Sequence, residues 1–134
     1  MIKIGLTGST TFENRTKIKT LLHKIKRESI DEVMIIGLGD KFGADKYIRK
    51  FALEYGLTYQ EANLPHTQPT LYSMMAENFY GKPYNVKNFF LRNNTFARYV
   101  DKCVVFDETS GQDKKIINLI KALNKAKKRL VIVT

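Results

Sequence analysis

The stretch Val33-Met34-Ile35-Ile36-Gly37-Leu38-Gly39-Asp40-Lys41-Phe42-Gly43-Ala44-Asp45 decides the fold. Its first four residues are apolar without alternation, the pattern of a strand covered on both faces. A glycine-rich loop follows. Then Ala44, Tyr47, Ile48, Phe51, Ala52 and Tyr55 repeat at the i, i+3, i+4, i+7 spacing of an amphipathic helix. Strand, loop and helix in that order make one β–α unit.

Outward from this unit, the same rhythm continues in both directions. Strands are predicted at about residues 2–6, 32–37, 57–61, 103–106 and 130–134, and Leu130-Val131-Ile132-Val133 again reads as buried on both faces. Ile18, Leu21, Leu22 and Ile25 mark a helix after the first strand. A further helix is predicted over about 86–99, with Phe89, Phe96 and Val100 inward, and another over about 112–127 on Ile116, Ile120 and Leu123. Strands alternating with helices imply right-handed crossovers. The expected fold is α/β: a doubly wound, mostly parallel, five-stranded Rossmann-like sheet with helices on both faces, one domain over residues 1–134. Residues 63–87 break the rhythm as an irregular insertion. They hold Pro65, Pro69 and Pro83, the aromatics Tyr72, Phe79, Tyr80 and Tyr84, and one short helix expected at about 71–78.

The 134 residues, 43% hydrophobic and 27% charged, suit one globular core and exclude a disordered or fibrous chain. No apolar run approaches the roughly 20 residues that span a bilayer, and no secretory pattern opens the sequence. The lone Cys103, in the run Cys103-Val104-Val105-Phe106, reads as a buried strand residue suited to a reducing, cytoplasmic setting. A net charge of +10 points to a phosphate-bearing or polyanionic partner, although the lysines of the first and last helices also fit a solvated helix face. His23 and His66 lack metal-ligand spacing, so no metal and no bound cofactor are expected.

In open parallel sheets ligands sit beyond the carboxyl ends of the strands, where strand order reverses. Three glycine-bearing loops fall there. Thr7, Gly8, Ser9 and Thr10 follow the first strand and offer backbone N–H groups and hydroxyls to a phosphate or ribose. Gly37, Gly39, Asp40, Gly43 and Asp45 follow the second. Asp107, Ser110 and Gly111 follow the fourth. Each loop alone also serves as an ordinary turn or helix cap, and Asp45 also suits a helix N-terminus. No Gly-Lys-Ser/Thr pair completes a P-loop, and Gly37-x-Gly39-x-x-x-Gly43 departs from the dinucleotide fingerprint by one residue.

Together with Arg92-Asn93 in the third helix, these loops occur in the order found in the SLOG superfamily, which the chain resembles outside residues 63–87. That superfamily includes YspA-like proteins, the Rossmann domain of DNA-processing protein A and the Lonely Guy phosphoribohydrolases. The resemblance implies binding of a nucleotide or nucleotide-derived ligand, sensed or sequestered, with Arg92 on its phosphate, Asn93 on a base or sugar edge, and Ser110-Gly111 nearby. A guanidinium holds a phosphate bidentately, which is why Arg92 leads the candidates. Two alternatives remain. One is single-stranded nucleic-acid binding, supported by the basic charge and by aromatics that stack on bases or anchor the insertion. The other is N-glycosidic hydrolysis of nucleoside monophosphates. It is handicapped because the position resembling the Lonely Guy glutamate is Lys115, and glycosidic cleavage needs a carboxylate. A homo-oligomer is compatible with the resemblance.

Overall fold

A computed structural model describes residues 1–28 and 32–134. Its elements run β1 (Ile2–Gly8), α1 (Arg15–Glu28), β2 (Val33–Gly37), α2 (Ala44–Glu54), β3 (Thr58–Glu61), α3 (Lys87–Tyr99), β4 (Lys102–Phe106), α4 (Lys114–Lys125) and β5 (Arg129–Val133). The five strands form one sheet in the order β3-β2-β1-β4-β5, every neighbouring pair parallel. Strand order reverses between β1 and β4, so the crevice expected for ligands lies where their following loops part.

The sheet separates two apolar cores. On one face Leu6, Ile35 and Phe106 pack with Ile18 and Leu22 of α1 and Ile48 and Phe51 of α2. On the other, Ile36, Cys103 and Val105 pack with Phe96 and Ala97 of α3 and Ile116, Leu119 and Leu123 of α4. The period-3.6 patterns of the sequence thus find their partners. The Cys103 thiol is buried, and burial pushes its pKa up. No helix among the described residues is long and apolar enough to cross a membrane.

Three expectations change. Thr7 and Gly8 are not a turn but the last residues of β1, paired with Val105 and Phe106. Gly8 is required by close approach: a Cβ there would lie 2.2 Å from the Phe106 carbonyl oxygen and 2.6 Å from Ala44 Cβ. Second, β5 is not covered on both faces. It is an edge strand whose Val131 is 49% and Ile132 37% exposed.

Third, the short helix expected near 71–78 is absent, and only a single 3₁₀ turn forms at Glu77–Phe79. The backbone there is taken by β3. Glu61 N–H donates to the Tyr72 carbonyl at 2.7 Å and Met74 N–H to the Glu61 carbonyl at 2.9 Å, while Thr70 N–H bonds Ser73 Oγ at 2.8 Å. Side-chain and strand-edge partners displace the helical ladder. The buried Glu61 carboxylate fixes this clip by accepting from Tyr59 Oη at 2.8 Å, Asn63 Nδ2 at 3.1 Å and Thr70 Oγ1 at 3.2 Å. The insertion's aromatics anchor it: Tyr72 meets Tyr59 edge-on at 5.7 Å, and Tyr80 is buried.

Candidate functional site

At the carboxyl edge of the sheet, the first turns of α2 and α4 and the N-terminal half of α3 converge. Gly43 has φ 70° and opens α2, and a Cβ on it would lie 2.3 Å from the Ser9 carbonyl oxygen. Only glycine lets the loop after β1 pack onto the start of α2 in this way. Ala44 N–H then donates to the Ser9 carbonyl at 3.1 Å.

This packing buries Asp45, which accepts from Thr7 Oγ1 at 2.6 Å and from the Asp40 backbone N–H at 3.2 Å. Lys115, in the first turn of α4, reaches over the switch point between β1 and β4. Its Nζ lies 2.8 Å from the Gly8 carbonyl oxygen, 2.9 Å from Asp45 Oδ2 and 2.5 Å from Asp40 Oδ2. Burial pushes the Asp45 carboxyl up against the pull of Lys115. For Lys115, burial disfavours the ammonium, but the two carboxylates outweigh it and hold its pKa above the usual lysine value. On the neighbouring loop Glu108 accepts from Thr11 and Ser9 hydroxyls, the latter at 2.8 Å, and these bonds hold its pKa below the usual range, the Thr11 bond foremost.

Two cavities open beside this cluster. One, of about 360 Å³, is walled by Asp40, Phe89, Arg92, Asn93, Lys115 and Asn118. The other, of about 380 Å³, is walled by Thr10, Gly39, Asp40, Phe42, His66 and Phe89. They share Asp40 and Phe89, so they are two lobes of one cleft. A smaller apolar cavity of about 90 Å³ lies behind Arg92, against Met74, Met75 and Phe79 of the insertion.

Arg92 is 6% exposed and forms no ion pair among the described residues. Its Nε donates to Asn93 Oδ1 at 3.0 Å and its Nη1 to the Ala62 carbonyl at 3.3 Å. Burial lowers its pKa, opposed by the charges of Asp40 and Asp45. Asn93 in turn donates from Nδ2 to Asn118 Oδ1 at 2.9 Å. The cleft wall therefore holds a guanidinium fixed by neutral acceptors, with the Asp40 and Asp45 charges nearby but no direct ion pair among the described residues.

Of the candidates read from the sequence, Thr10, Gly39, Asp40, Arg92 and Asn93 come together in the cleft walls. Asp45 lies directly beneath them. Thr7, Gly8, Ser9, Gly37 and Gly43 form supporting backbone; the Ser9 hydroxyl is buried on Glu108, and the Gly37 carbonyl accepts from Ala62 N–H at 2.9 Å. Asp107, Ser110 and Gly111 are not brought to the cavity walls. Asp107 is fully buried and gathers the groups that a phosphate would have used: Thr109 N–H at 2.9 Å, Thr109 Oγ1 at 2.7 Å, Gly111 N–H at 3.1 Å and Asp113 N–H at 3.3 Å. Burial alone would raise its pKa, but these bonds together hold it low. Lys115, Asn118, His66 and Phe42 were not among the candidates. Lys115 and Asn118 carry a signal in their i, i+3 spacing at a helix start; His66 and Phe42 carry none.

No protein-family profile and no curated protein matches the sequence. Solved structures do match. The fold is that of molybdenum cofactor carrier proteins. A carrier protein from Chlamydomonas reinhardtii superposes with a TM-score of 0.67 at 19% identity, over 98% of this chain and 75% of that one. A molybdenum cofactor binding protein from the phototrophic bacterium Rippkaea orientalis gives 0.69 at 15% identity with the same coverage. A second structure of the Chlamydomonas carrier gives 0.63 at 19%. At these identities the shared property is the fold.

Proposed function

We propose that the chain binds a small, phosphate-bearing heterocyclic ligand in the cleft between the loops after β1 and β2 and the N-terminal half of α3. The ligand is a nucleotide, a nucleotide-derived molecule or another small cofactor, held as a carrier, sensor or store holds its cargo. One observation carries this reading: Arg92 is a buried guanidinium with no ion-paired carboxylate among the described residues, in the wall of a cavity large enough for a ligand group. Lys114 and Asn118 add positive and polar character to the same lobe. A phosphate there would give the buried guanidinium charge-assisted bonds. The SLOG resemblance and the names of the structural neighbours, molybdenum cofactor carrier and binding proteins, both support a small ligand that is held rather than transformed.

The geometry gives hydrolysis no support. Asp40 and Asp45 are tied to Lys115, and a carboxylate paired with an ammonium is a poor general base. Single-stranded nucleic acid is the second reading, favoured by Phe42 and Phe90, 70% and 48% exposed at the cleft beside Lys41 and Lys114.

A thermal-shift series with mononucleotides and a pterin phosphate tests the proposal. A ligand at about 100 times its Kd adds roughly 2.7 kcal/mol of stability. The expected result is a rise in Tm for the wild type that Arg92→Met loses. Equal stabilisation of both forms would sink the site, and a steep decline of affinity with salt for oligonucleotides alone would favour the second reading.

A further inference from the structure

Asp40 stands where the two lobes of the cleft meet. Its Oδ2 is held by Lys115 at 2.5 Å, which orients the carboxylate, while Oδ1 has no hydrogen-bond partner among the described residues. The side chain is 31% exposed, open to the cleft yet fixed. On one side lies the cationic lobe of Arg92. On the other lies a lobe whose walls include Leu38, Phe42, Phe89 and His66. The His66 ring is tilted or edge-on to Phe89 at 6.0 Å and Tyr84 at 5.0 Å.

These facts fix the polarity of a bound molecule. Asp40 borders both lobes, but Arg92 and Lys114 wall only one of them, so a phosphate is drawn into that cationic lobe. A flat ring then falls in the aromatic lobe. The ring edge nearest Asp40 meets an ionised group that only accepts hydrogen bonds. Ring acceptors turned toward it are penalised, and ring donors gain a charge-assisted bond.

We propose that Asp40 is a specificity-determining residue: it selects rings that present an N–H beside an exocyclic amine, the edge shared by guanine and pterin, over adenine-type rings. Adenine sets an acceptor nitrogen beside its amine and leaves one of the two positions facing the carboxylate repulsive. The selection rests on the reading of the cleft as a phosphate–heterocycle site. It goes beyond that reading by naming which heterocycle is held and the atom that reads it.

Calorimetric titration of the whole chain with guanosine 5′-monophosphate and adenosine 5′-monophosphate separates the two levels. The wild type is expected to bind the guanine nucleotide about 10- to 100-fold more tightly, the range of one charge-assisted hydrogen bond. In Asp40→Asn that ratio falls to about threefold or less, because the amide offers a donor as well as an acceptor. Asp45 still holds Lys115 in this variant, so the fold is kept, and Asp40→Ser provides a second check with the same expected loss. Equal affinities in the wild type, or an unchanged ratio in both variants, overturn the selection by Asp40. In that event, weakening of both nucleotides by Arg92→Met leaves the phosphate site standing. Binding of neither nucleotide overturns the cleft reading and the selection together.

Discussion

Asp107 in the turn after β4 and Arg92 on α3 are both buried, charged side chains at the carboxyl edge of the sheet, and the chain treats them in opposite ways. Asp107 receives four hydrogen bonds from its own turn. Arg92 forms no ion pair with a carboxylate among the described residues. The first region is an anion-binding turn that carries its own anion. The second is a cation with a cavity in front of it. The difference teaches where to look for a ligand: glycine-rich loops advertise anion binding in the sequence, but only those whose donors are left unspent remain free to do it.

The comparison breaks most visibly at Asp107. Replacing it with Ala strands buried backbone donors, and a loss of about 3 kcal/mol is expected in urea unfolding. A change below about 1 kcal/mol would mean the turn does not depend on its carboxylate. The pH dependence has a definite sign. The folded pKa of Asp107 is depressed, so its contribution is present above the unfolded value near pH 4 and is lost as pH falls through the folded value. Wild-type stability should therefore decline on acidification more steeply than that of Asp107→Asn.

Lys115→Met sharpens the contrast by creating a second unpaired charge. Asp45 would lose its ammonium in a buried site, at an expected cost of about 3 kcal/mol at neutral pH. Its pKa, already pushed up by burial, would rise further. A raised carboxyl pKa favours the protonated folded state, so the deficit should shrink at acidic pH and grow as pH rises through the new folded value. Denaturation curves at pH 5 and pH 8 that show the same deficit would refute this account.

Arg92→Met should leave stability within about 1 kcal/mol, because removing a buried unpaired charge while keeping the aliphatic stem is close to neutral. Ligand affinity should still fall by tenfold or more, on the order of 1.4 kcal/mol. A large loss of stability would instead make Arg92 a structural counterpart of Asp107. The smallest effect is expected at Ser110, which holds φ 57° in the Asp107 turn. Ser110→Gly should gain about 0.5 kcal/mol or slightly more by relieving the left-handed backbone, measurable as a small upward shift in Tm.

Much of this edge of the molecule was legible beforehand. The uniform apolarity of Val33 to Ile36, and the helical spacing of Ala44 to Tyr55, fixed the β–α units to within a residue or two, because burial of a strand or a helix face leaves a period in the chain. Arg92 and Asn93 were singled out by resemblance, and the structure places them in a cavity wall. Lys115 was read only as a missing glutamate. Its reach across the switch point to Asp40 and Asp45 depends on how α4 and α2 sit on opposite faces of the sheet, which no local pattern states. The same holds for residues 71–78, where the polar contacts with β3 took the backbone from the expected helix.

The sequence by itself determined the alternation of strands and helices, the parallel sheet, and the three loops at its carboxyl edge, since each follows from local periodicity and glycine placement. Only the tertiary structure decided which polar groups at that edge are already satisfied. Asp107, Ser9 and Asp45 find partners far along the chain or within a tightly folded turn, whereas Arg92 forms no ion pair among the described residues. Hydrogen bonding and charge pairing are settled by distances in space, and those distances do not exist until the sheet and both helix layers are assembled.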